Sequence, residues 1–441
     1  MNDIALRQRA MAVLHGNWER GHTVPSRRLY PHQWSWDSAF NAVGWAHASP
    51  GRGRRELESL LAAQWIDGRV PQIVFNPAVA RDAYFPGPDF WRSRDVPAAP
   101  RRETSGIVQP PVHAVAALDV HRAAPTLGRR FLRRVYPHLR AQHDYLLRER
   151  SDGHGLAVIV HPWESGQDNS PAWDAELARV TAGAGVLAGH RRHDLDHVDA
   201  AERPTAADYA GYVAIAETYR EHGYRDEPGA HRFVAVDPLF NALLAWSEEA
   251  LAEIADTIGE PSEPHRRRAA AVRDALLARC YDRVAQHFFA LDRDGTRIPE
   301  YCVGGLVPLV LDLPSGVVDA LVAGITGPRF ALNDRIPLPS YDLTGPAFDT
   351  TRYWRGPAWI NTSWLVLRGL HRHGRHAEAT TLRAAMLNAV RQEGFREYFD
   401  PCTGAGRGAS DFSWSAALTL DLLATSPAST PAPRSLTGAP T

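Results

Sequence analysis

The chain has 441 residues, of which 49 are basic and 50 acidic, and its formal net charge is −1 at pH 7. This balance lacks the basic surplus of nucleic-acid-binding proteins, so nucleic acid is not an expected partner. The three cysteines form no short-spaced pair, which favours a reducing compartment. Residues 1–18 lack the apolar run of a signal peptide or membrane span. We therefore expect a cytoplasmic globular protein without membrane association; homo-oligomerisation stays open.

Helical periodicity dominates the chain. Apolar residues recur at three- and four-residue spacing in about a dozen segments, the pattern of helices with one buried face. The predicted helices lie near Leu6–Leu14, Trp36–Ala46, Leu57–Trp65, Val112–Val120, Leu132–Leu147, Trp173–Leu187, Tyr209–Tyr219, Leu239–Ile254, Ala269–Cys280, Val317–Val322, Pro357–Leu370, Ala377–Val390 and Phe412–Leu423.

Strand patterns are few. Leu156–His161 alternates apolar residues, and His287–Ala290 with Ile298–Tyr301 predicts a short hairpin. The class is therefore all-α, and the absence of a composition break before the tail favours a single closed helical barrel over residues 1–425. The long segments 67–109 and 189–205 are expected to be lid loops, although 67–109 is also readable as a simple insertion. Residues 426–441, rich in Ser, Thr, Ala and Pro, are expected to be disordered.

Tryptophan is unusually frequent, with 13 residues, many of them beside Gly, Pro, Asp or Asn. Such rings in polar loops suggest a stacking surface for a sugar or another flat ligand. The first cluster, residues 30–38, contains Trp34, Trp36 and Asp37. Because residues at i and i+2 do not share a helix face, part of this cluster should be extended, with a helix from about Ser38. Asp37 either holds sugar hydroxyls or simply caps that helix.

A second cluster, residues 161–174, contains a candidate proton donor. Asp168 lies in a Gly- and Pro-bracketed turn near Trp163, and a poorly solvated carboxyl group can stay protonated near neutral pH. Glu164 is the rival acid. Asp174 is the expected helix cap, which leaves Asp168 free for chemistry.

Two further aromatic clusters precede the last helices. Tyr353, Trp354 and Trp359 surround a Gly-Pro pair expected at the first turn of a helix. Glu397 is an acid between aromatic neighbours and the Gly-rich turn 404–408. That turn does not follow a strand within a βαβ unit and has no lysine, which argues against a phosphate-binding loop.

Two isolated carboxyl groups among aromatic rings fit glycoside hydrolysis, in which one acid protonates the leaving oxygen and the other activates water or attacks carbon. The candidates are Asp168 and Glu397. A non-catalytic sugar-binding protein with the same aromatic cup is the alternative outside enzymes. The cluster His190–His197 contains metal-ligating residue types, but its spacing is irregular and its arginines would oppose a cation, so we expect neither a metal nor another cofactor.

The segments 161–174, 353–361 and 397–415 together resemble glycoside hydrolase family 63, and in particular its bacterial glucosylglycerate and mannosylglycerate hydrolases. The resemblance extends from Tyr30 to about Leu423. It implies an (α/α)6 barrel and an inverting mechanism on α-linked sugars. Cys402 departs from the expected pattern of the last segment.

Position by position, the resemblance implies that Asp168 is the general acid and Glu397 the general base. Arg203 is implied to meet the carboxylate of a glycerate aglycone, and Tyr84 on the lid to close over that group. The alternative substrates are neutral α-glucosides such as trehalose-like disaccharides. The remaining residues of the expected substrate wall are Tyr30, Trp34, Trp36, Asp37, Gln109, Trp163, Tyr353, Trp354 and Trp359.

Overall fold

The computed structural model describes residues 1–183, 187, 192–196, 198–227 and 229–425; the expected disordered tail, 426–441, lies outside these ranges. Helices dominate them, which confirms the all-α class. The α-helices are α1 Asp3–Gly16, α2 Ser35–Ala48, α3 Pro50–Leu61, α4 Pro88–Trp91, α5 His113–Ala123, α6 Pro125–Glu149, α7 Asp174–Ala178, α8 Ala206–Glu221, α9 Pro238–Ile258, α10 Glu263–Arg279, α11 Ser315–Thr326, α12 Ile360–Arg372, α13 His376–Glu393 and α14 Ser413–Ala424.

Strands in the described ranges are two-residue segments that pair in antiparallel couples: β1 with β2, β3 with β4, β5 with β6, β7 with β8, and β9 with β10. None of these pairs extends into a larger sheet within the described ranges. The strands are β1 Trp18–Glu19, β2 His22–Thr23, β3 Gln33–Trp34, β4 Ile73–Val74, β5 Tyr281–Asp282, β6 His287–Phe288, β7 Ala290–Leu291, β8 Arg297–Ile298, β9 Tyr398–Phe399 and β10 Gly406–Arg407.

The helices form a closed double ring, as the barrel prediction requires. The inner ring follows the contacts from α14 to α2, α5 and α9, then through the 3₁₀ segment Val307–Val310 to α12 and back to α14. Elements of the outer ring alternate with these along the chain: α1, α3, α6, α10, α11 and α13. The sixth inner position is therefore occupied by a 3₁₀ segment instead of an α-helix.

Burial separates the two rings. Most residues of the inner helices α2, α9, α12 and α14 are buried. The outer helix α3 instead buries only one face, including Leu57, Leu60 and Leu61 at helical spacing, while Arg55 is exposed on its other side. A helix enclosed on all sides needs apolar or small residues all round, whereas a surface helix needs only a stripe.

Some local predictions were wrong. Leu156–His161 forms isolated bridges only, through Ala157 and Ile159, because it runs between separate neighbours instead of along one strand. The helix expected over Trp173–Leu187 ends at Ala178, before a stretch with Thr181 and Gly183, and residues 184–186 lie outside the described ranges. The hairpin prediction is confirmed in shortened form by β7 and β8.

The segment 67–109 is held to the barrel at its base. Its strand β4 pairs with β3, and Val74 also bridges to Thr104 near the other end of the segment. Within the segment, the Arg81 side chain donates hydrogen bonds to Asp89 and Glu103 and so joins its middle to its later part. A role of this segment as a lid stays a prediction. No helix of the described ranges is both long and apolar enough to cross a membrane.

Candidate active site

A cavity lies where the inner helices α2 and α14 begin. Concave sites lined by aromatic rings and a few polar groups typically hold small-molecule ligands. Asp37 reaches it from the first turn of α2, and Trp414 from the first turn of α14. The lining residues that the sequence predicted are Tyr30, Trp34, Trp36, Asp37, Tyr84, Gln109, Trp163, Asp168, Arg203, Tyr353, Trp354 and Glu397.

Asp168 is presented to this cavity by a tight turn. Gly166 adopts φ of 70°, and a Cβ atom there would lie 2.5 Å from the Trp36 ring, so only glycine fits. The Tyr212 hydroxyl donates to the Asp168 backbone carbonyl at 3.0 Å. This bond fixes the backbone of the turn and leaves the side-chain carboxyl group directed at the cavity.

The environment of Asp168 favours its protonated form. Burial raises the pKa of its carboxyl group to about 7, an effect that the positive charge of Arg203 opposes and the negative charge of Glu397 reinforces. No described side chain hydrogen-bonds to this carboxyl group. Asp168 can therefore carry a proton near neutral pH and has a free position from which to deliver it.

Glu164, the rival acid, has a structural position. It is fully buried, does not line the cavity, and forms a two-pronged ion pair with Arg150 at 2.7 and 2.9 Å. Its oxygens also accept the backbone N–H groups of Val108 and Val160. Glu164 thus stabilises the base of the segment that carries Asp168 and offers no proton to a ligand.

Neither Asp37 nor Asp174 caps a helix. The cap role was an alternative for Asp37 and the expectation for Asp174. The cap position of α2 is Trp34, so Asp37 lies inside the first turn, where burial raises its pKa well above the usual range. Its carboxyl group is directed into the cavity. Asp174 is the first residue of α7 and pairs with Arg355, which corrects its predicted cap role.

Glu397 is held by an unusual number of donors. Its Oε1 accepts the hydroxyls of Tyr30 at 2.9 Å and Tyr353 at 3.1 Å. Arg203 Nη2 donates to Oε2 at 3.0 Å and Nη1 to Oε1 at 3.4 Å, while the Ala409 backbone N–H donates to Oε2 at 2.9 Å. Five donors therefore point at the two oxygens, and both charged side chains are almost completely buried.

Arg203 lines the cavity and forms an ion pair with Glu397. Its guanidinium lies 4.7 Å from the centre of the Tyr353 ring, and its Nη1 also donates to the Tyr30 hydroxyl at 2.7 Å. The Nε atom is buried and has no hydrogen-bond partner among the described residues. Arg203 thus links Glu397 to the two tyrosines of the cavity wall.

A glycine makes room for the carboxylate of Glu397. Glu397 directly precedes β9, and β10 lies opposite. Gly408, just after β10, has φ of 65°, and a Cβ atom there would lie 2.6 Å from Glu397 Oε2. The Gly-rich turn that superficially resembled a phosphate loop therefore shapes the surroundings of this acid.

Trp359 differs from the other expected wall residues because it does not line the cavity. Its ring stacks behind that of Trp354, with centroids 4.0 Å apart and planes 1° from parallel. Its indole N–H donates to the Tyr353 carbonyl at 3.1 Å. The helix α12 begins at Ile360, so Pro357 precedes the helix instead of starting it. Trp359 supports the wall and contacts no ligand space.

Tyr84 brings the segment 67–109 to the cavity. Its ring packs edge-on against Trp34 at 5.1 Å, and it also contacts Tyr30 at 6.2 Å. At the far end of the same segment, Gln109 Oε1 accepts the backbone N–H of Trp36 at 3.2 Å. The segment thus contributes one aromatic ring and two amide groups to the same wall, since Gln72 also lines the cavity.

The histidine-rich loop offers no metal centre in the part that is described. Arg192 pairs with Asp194 at 2.6 Å, and Asp194 lines the cavity. His190, Arg191 and His197 lie outside the described residues. Among the described residues, no group of three or more His, Cys, Asp or Glu is arranged to hold a metal ion.

Sequence reasoning missed several cavity residues. Trp414 belonged to a recognised aromatic cluster but was not assigned to the wall, and Tyr209 was read only as part of a helix face. The backbone N–H of Ala409 carries no sequence signal at all. The missed lining residues are Pro25, Gln72, Gly166, Asp194, Pro204, Tyr209, Phe412 and Trp414.

A helical double ring with two acids in an aromatic cavity defines the class as a glycoside hydrolase. The family model for the mannosylglycerate hydrolase MGH1-like glycoside hydrolase domain matches residues 30–415. The chain belongs to this family, which confirms the resemblance to glycoside hydrolase family 63.

Relatives extend over nearly the whole chain. A mannosylglycerate hydrolase from Rubrobacter radiotolerans is 42% identical over 94% of this chain and 96% of its own length. A glucosylglycerate hydrolase from Mycolicibacterium hassiacum is 35% identical over 95% and 97%. The crystal structure of a GH63 mannosylglycerate hydrolase from Thermus thermophilus, in complex with Tris, superposes with a TM-score of 0.87 at 40% identity, over 94% of this chain and 99% of that one.

Proposed function

We propose that this enzyme hydrolyses an α-glycoside of D-glycerate, namely mannosylglycerate, glucosylglycerate or both, with inversion at the anomeric carbon. The observation that carries the proposal is that Asp168 and Glu397 line one cavity, with the pKa of Asp168 raised to about 7. The names of the relatives support the substrate class. An arginine on the cavity wall, Arg203, supports a negatively charged aglycone.

In the proposed reaction, Asp168 protonates the glycosidic oxygen as its bond to the anomeric carbon breaks, and glycerate leaves. A water on the opposite face of the sugar attacks that carbon and gives its proton to Glu397. An inverting pair needs room for this water, so we expect carboxyl groups about 6.5–9.5 Å apart. The stacked ring of Trp354 and the carboxyl group of Asp37 are suited to hold the apolar face and the hydroxyls of the sugar.

The decisive experiment offers the enzyme mannosylglycerate, glucosylglycerate and trehalose, and follows the first-formed anomer by NMR. We expect release of a β-sugar from at least one glycerate glycoside and little from trehalose. Release of an α-sugar first would contradict inversion. Faster turnover of trehalose than of either glycerate glycoside would show that the enzyme prefers neutral α-glucosides.

We also propose that the enzyme acts in the cytoplasm. The support is that Cys280, Cys302 and Cys402 are all unpaired, and Cys402 is exposed. Free thiols persist in reducing compartments.

A further inference from the structure

Tyr353 has a backbone conformation that a tyrosine rarely adopts. Its φ is 44°, in the left-handed region that crowds the Cβ atom of every residue but glycine. Such a conformation persists only where surrounding contacts hold it, and residues of this kind cluster at functional sites. The hydroxyl of the same residue donates to Glu397 at 3.1 Å. The place of this hydroxyl beside the proposed general base therefore depends on what holds the backbone at 353–354.

The peptide that follows Tyr353 is held by the proton-donor loop. The Trp354 backbone N–H donates to the side-chain Oδ1 of Asn169 at 2.9 Å. Asn169 is 2% exposed and does not line the cavity. Among the described residues this is the only hydrogen bond of the Asn169 side chain, because its Nδ2 is buried without a partner. The amide of Asn169 thus serves the cavity wall and not its own turn.

This contact completes a path between the two carboxyl groups of the proposed reaction. From Asp168 the backbone leads directly to Asn169, whose side chain binds the Trp354 N–H across 185 positions of the chain. From Trp354 the backbone leads back to Tyr353, whose hydroxyl binds Glu397. Because an inverting pair must stay far enough apart to admit a water, a connection that sets this separation bears on the reaction.

We propose that Asn169 is a positioning residue that ties the proton-donor loop to the wall beside Glu397 and so fixes the separation of the two carboxyl groups. This inference rests on the proposed function and adds to it a residue that lies outside the cavity. The alternative is that Asn169 only stabilises the turn that presents Asp168. Its loss would then weaken protonation of the leaving group and leave the attack of water unaffected.

The test uses two kinds of substrate that differ in their need for the acid. A glycerate glycoside needs a proton on its leaving oxygen, whereas α-D-mannosyl or α-D-glucosyl fluoride loses fluoride with the electron pair of the C1–F bond and needs little protonation. In both reactions water attacks C1 and its proton passes to Glu397. Asn169→Ala is expected to lower kcat about tenfold or more on both kinds of substrate, since a misplacement of about 1 Å can cost on the order of a hundredfold. A loss confined to the glycoside overturns the proposal.

The matched control is Tyr212→Phe. The Tyr212 hydroxyl donates to the Asp168 carbonyl at 3.0 Å and so holds the same turn, but it has no bond to residues 353–354 and does not line the cavity. Its removal is expected to lower kcat on the glycoside and to leave kcat on the fluoride close to that of the wild type. An equal loss on the fluoride in Asn169→Ala and Tyr212→Phe would mean that any disturbance of the donor loop reaches the base, which also overturns the proposal.

Two further variants separate the hydrogen bond from the size of the side chain. In Asn169→Asp a carboxyl oxygen can still accept the Trp354 N–H, so most of the fluoride activity should remain. In Asn169→Ser the hydroxyl ends one bond earlier, so this variant should lose as much as Asn169→Ala and replaces it if the alanine variant does not fold. Equal losses of fluoride hydrolysis in the aspartate and serine variants would show that the bond to Trp354 has no role.

A crystal structure of Asn169→Ala, or of Asn169→Ser, tests the inference without any substrate. The Tyr353 hydroxyl is expected to leave hydrogen-bond distance of Glu397, and an unchanged contact at 3.1 Å overturns the proposal. If neither glycerate glycoside is hydrolysed, the proposed function fails, while the fluoride kinetics and this structure still decide the role of Asn169. If a glycerate glycoside is hydrolysed and the Asn169 variants match the wild type, only the positioning role fails.

Discussion

Trp354 and Trp359 lie face to face with centroids 4.0 Å apart, yet only Trp354 lines the cavity. The hidden ring fixes the plane of the exposed one, and its N–H also fixes the backbone of Tyr353, whose hydroxyl reaches Glu397. A residue that touches no ligand therefore determines how two ligand-facing groups are placed.

Trp359→Phe should lower kcat/KM about three- to tenfold, since an aromatic pair contributes roughly 0.5–1.5 kcal/mol beyond its buried area. Steady-state kinetics on the preferred glycoside measures the effect. The control is Trp364→Phe, which alters an equally buried tryptophan bonded to Asp421 away from the cavity. Equal kinetic losses in the two variants would mean that Trp359 acts only through general packing.

The activity should fall as the pH rises through about 7. Burial raises the pKa of Asp168 to about 7, and a general acid works only in its protonated form, so kcat/KM should decrease about tenfold per unit above that value. Asp168→Asn should lose roughly 10²–10⁴-fold in activity on a glycerate glycoside. The same variant should lose far less on a glycosyl fluoride, whose leaving group needs little protonation. A similar loss of activity on both substrates would show that Asp168 is not the general acid.

Glu164→Gln should destabilise the protein without moving the pH profile of the folded enzyme. Breaking a buried ion pair typically costs about 3–5 kcal/mol, and the loss here should be smaller because Arg150 keeps its second partner, Asp226, at 2.8 Å. Chemical unfolding measures this loss. Glu103→Gln is the control, because its partner Arg81 is half exposed and such surface pairs contribute about 0–1 kcal/mol. If the Glu164→Gln enzyme is stable and its kcat/KM no longer falls above pH 7, Glu164 is the general acid.

Two glycines of one turn allow backbone strain to be separated from damage to the site. Gly408→Ala and Gly404→Ala both force alanine into the left-handed region, at φ of 65° and 78°. Only at 408 would the new Cβ reach Glu397; at 404 its nearest neighbour is Ile336 at 3.5 Å. We expect both variants to lose thermal stability, Gly408→Ala more because its Cβ would also meet the Tyr398 ring at 2.5 Å, and a loss of kcat, more than tenfold, in Gly408→Ala alone. Equal kcat values would show that the space beside Glu397 is not needed.

Much of this architecture was accessible from the sequence because periodicity reports burial. Apolar spacing located the ring helices, and the aromatic clusters around Asp168 and Glu397 marked the chain segments that meet at the cavity. Local patterns were less reliable where tertiary contacts decide the outcome. Leu156–His161 has the residues of a strand but no continuous partner, and the helix after Trp173 stops well before its apolar pattern does.

The site itself needed coordinates for a different reason. Residue type could not distinguish Glu164 from Asp168, because the difference lies in Arg150, which is bonded to one acid and not to the other. Nor could it place Trp359 behind the wall instead of in it. The pairing of Arg203 with Glu397 joins residues 194 positions apart, and no local pattern encodes such a contact.

The interrupted element at the sixth inner position carries the loop of the proton donor. Instead of one continuous α-helix, the chain makes two short 3₁₀ turns here, Val303–Gly305 and Val307–Val310. The first turn lies against the donor loop: the Ser170 hydroxyl is 3.2 Å from Cys302 Sγ, and a Cβ atom at Gly304 would come within 2.8 Å of the side-chain oxygen of Gln167. Asp168 lies between Gln167 and Ser170, so we expect an insertion that made this element a regular helix to displace the proton donor.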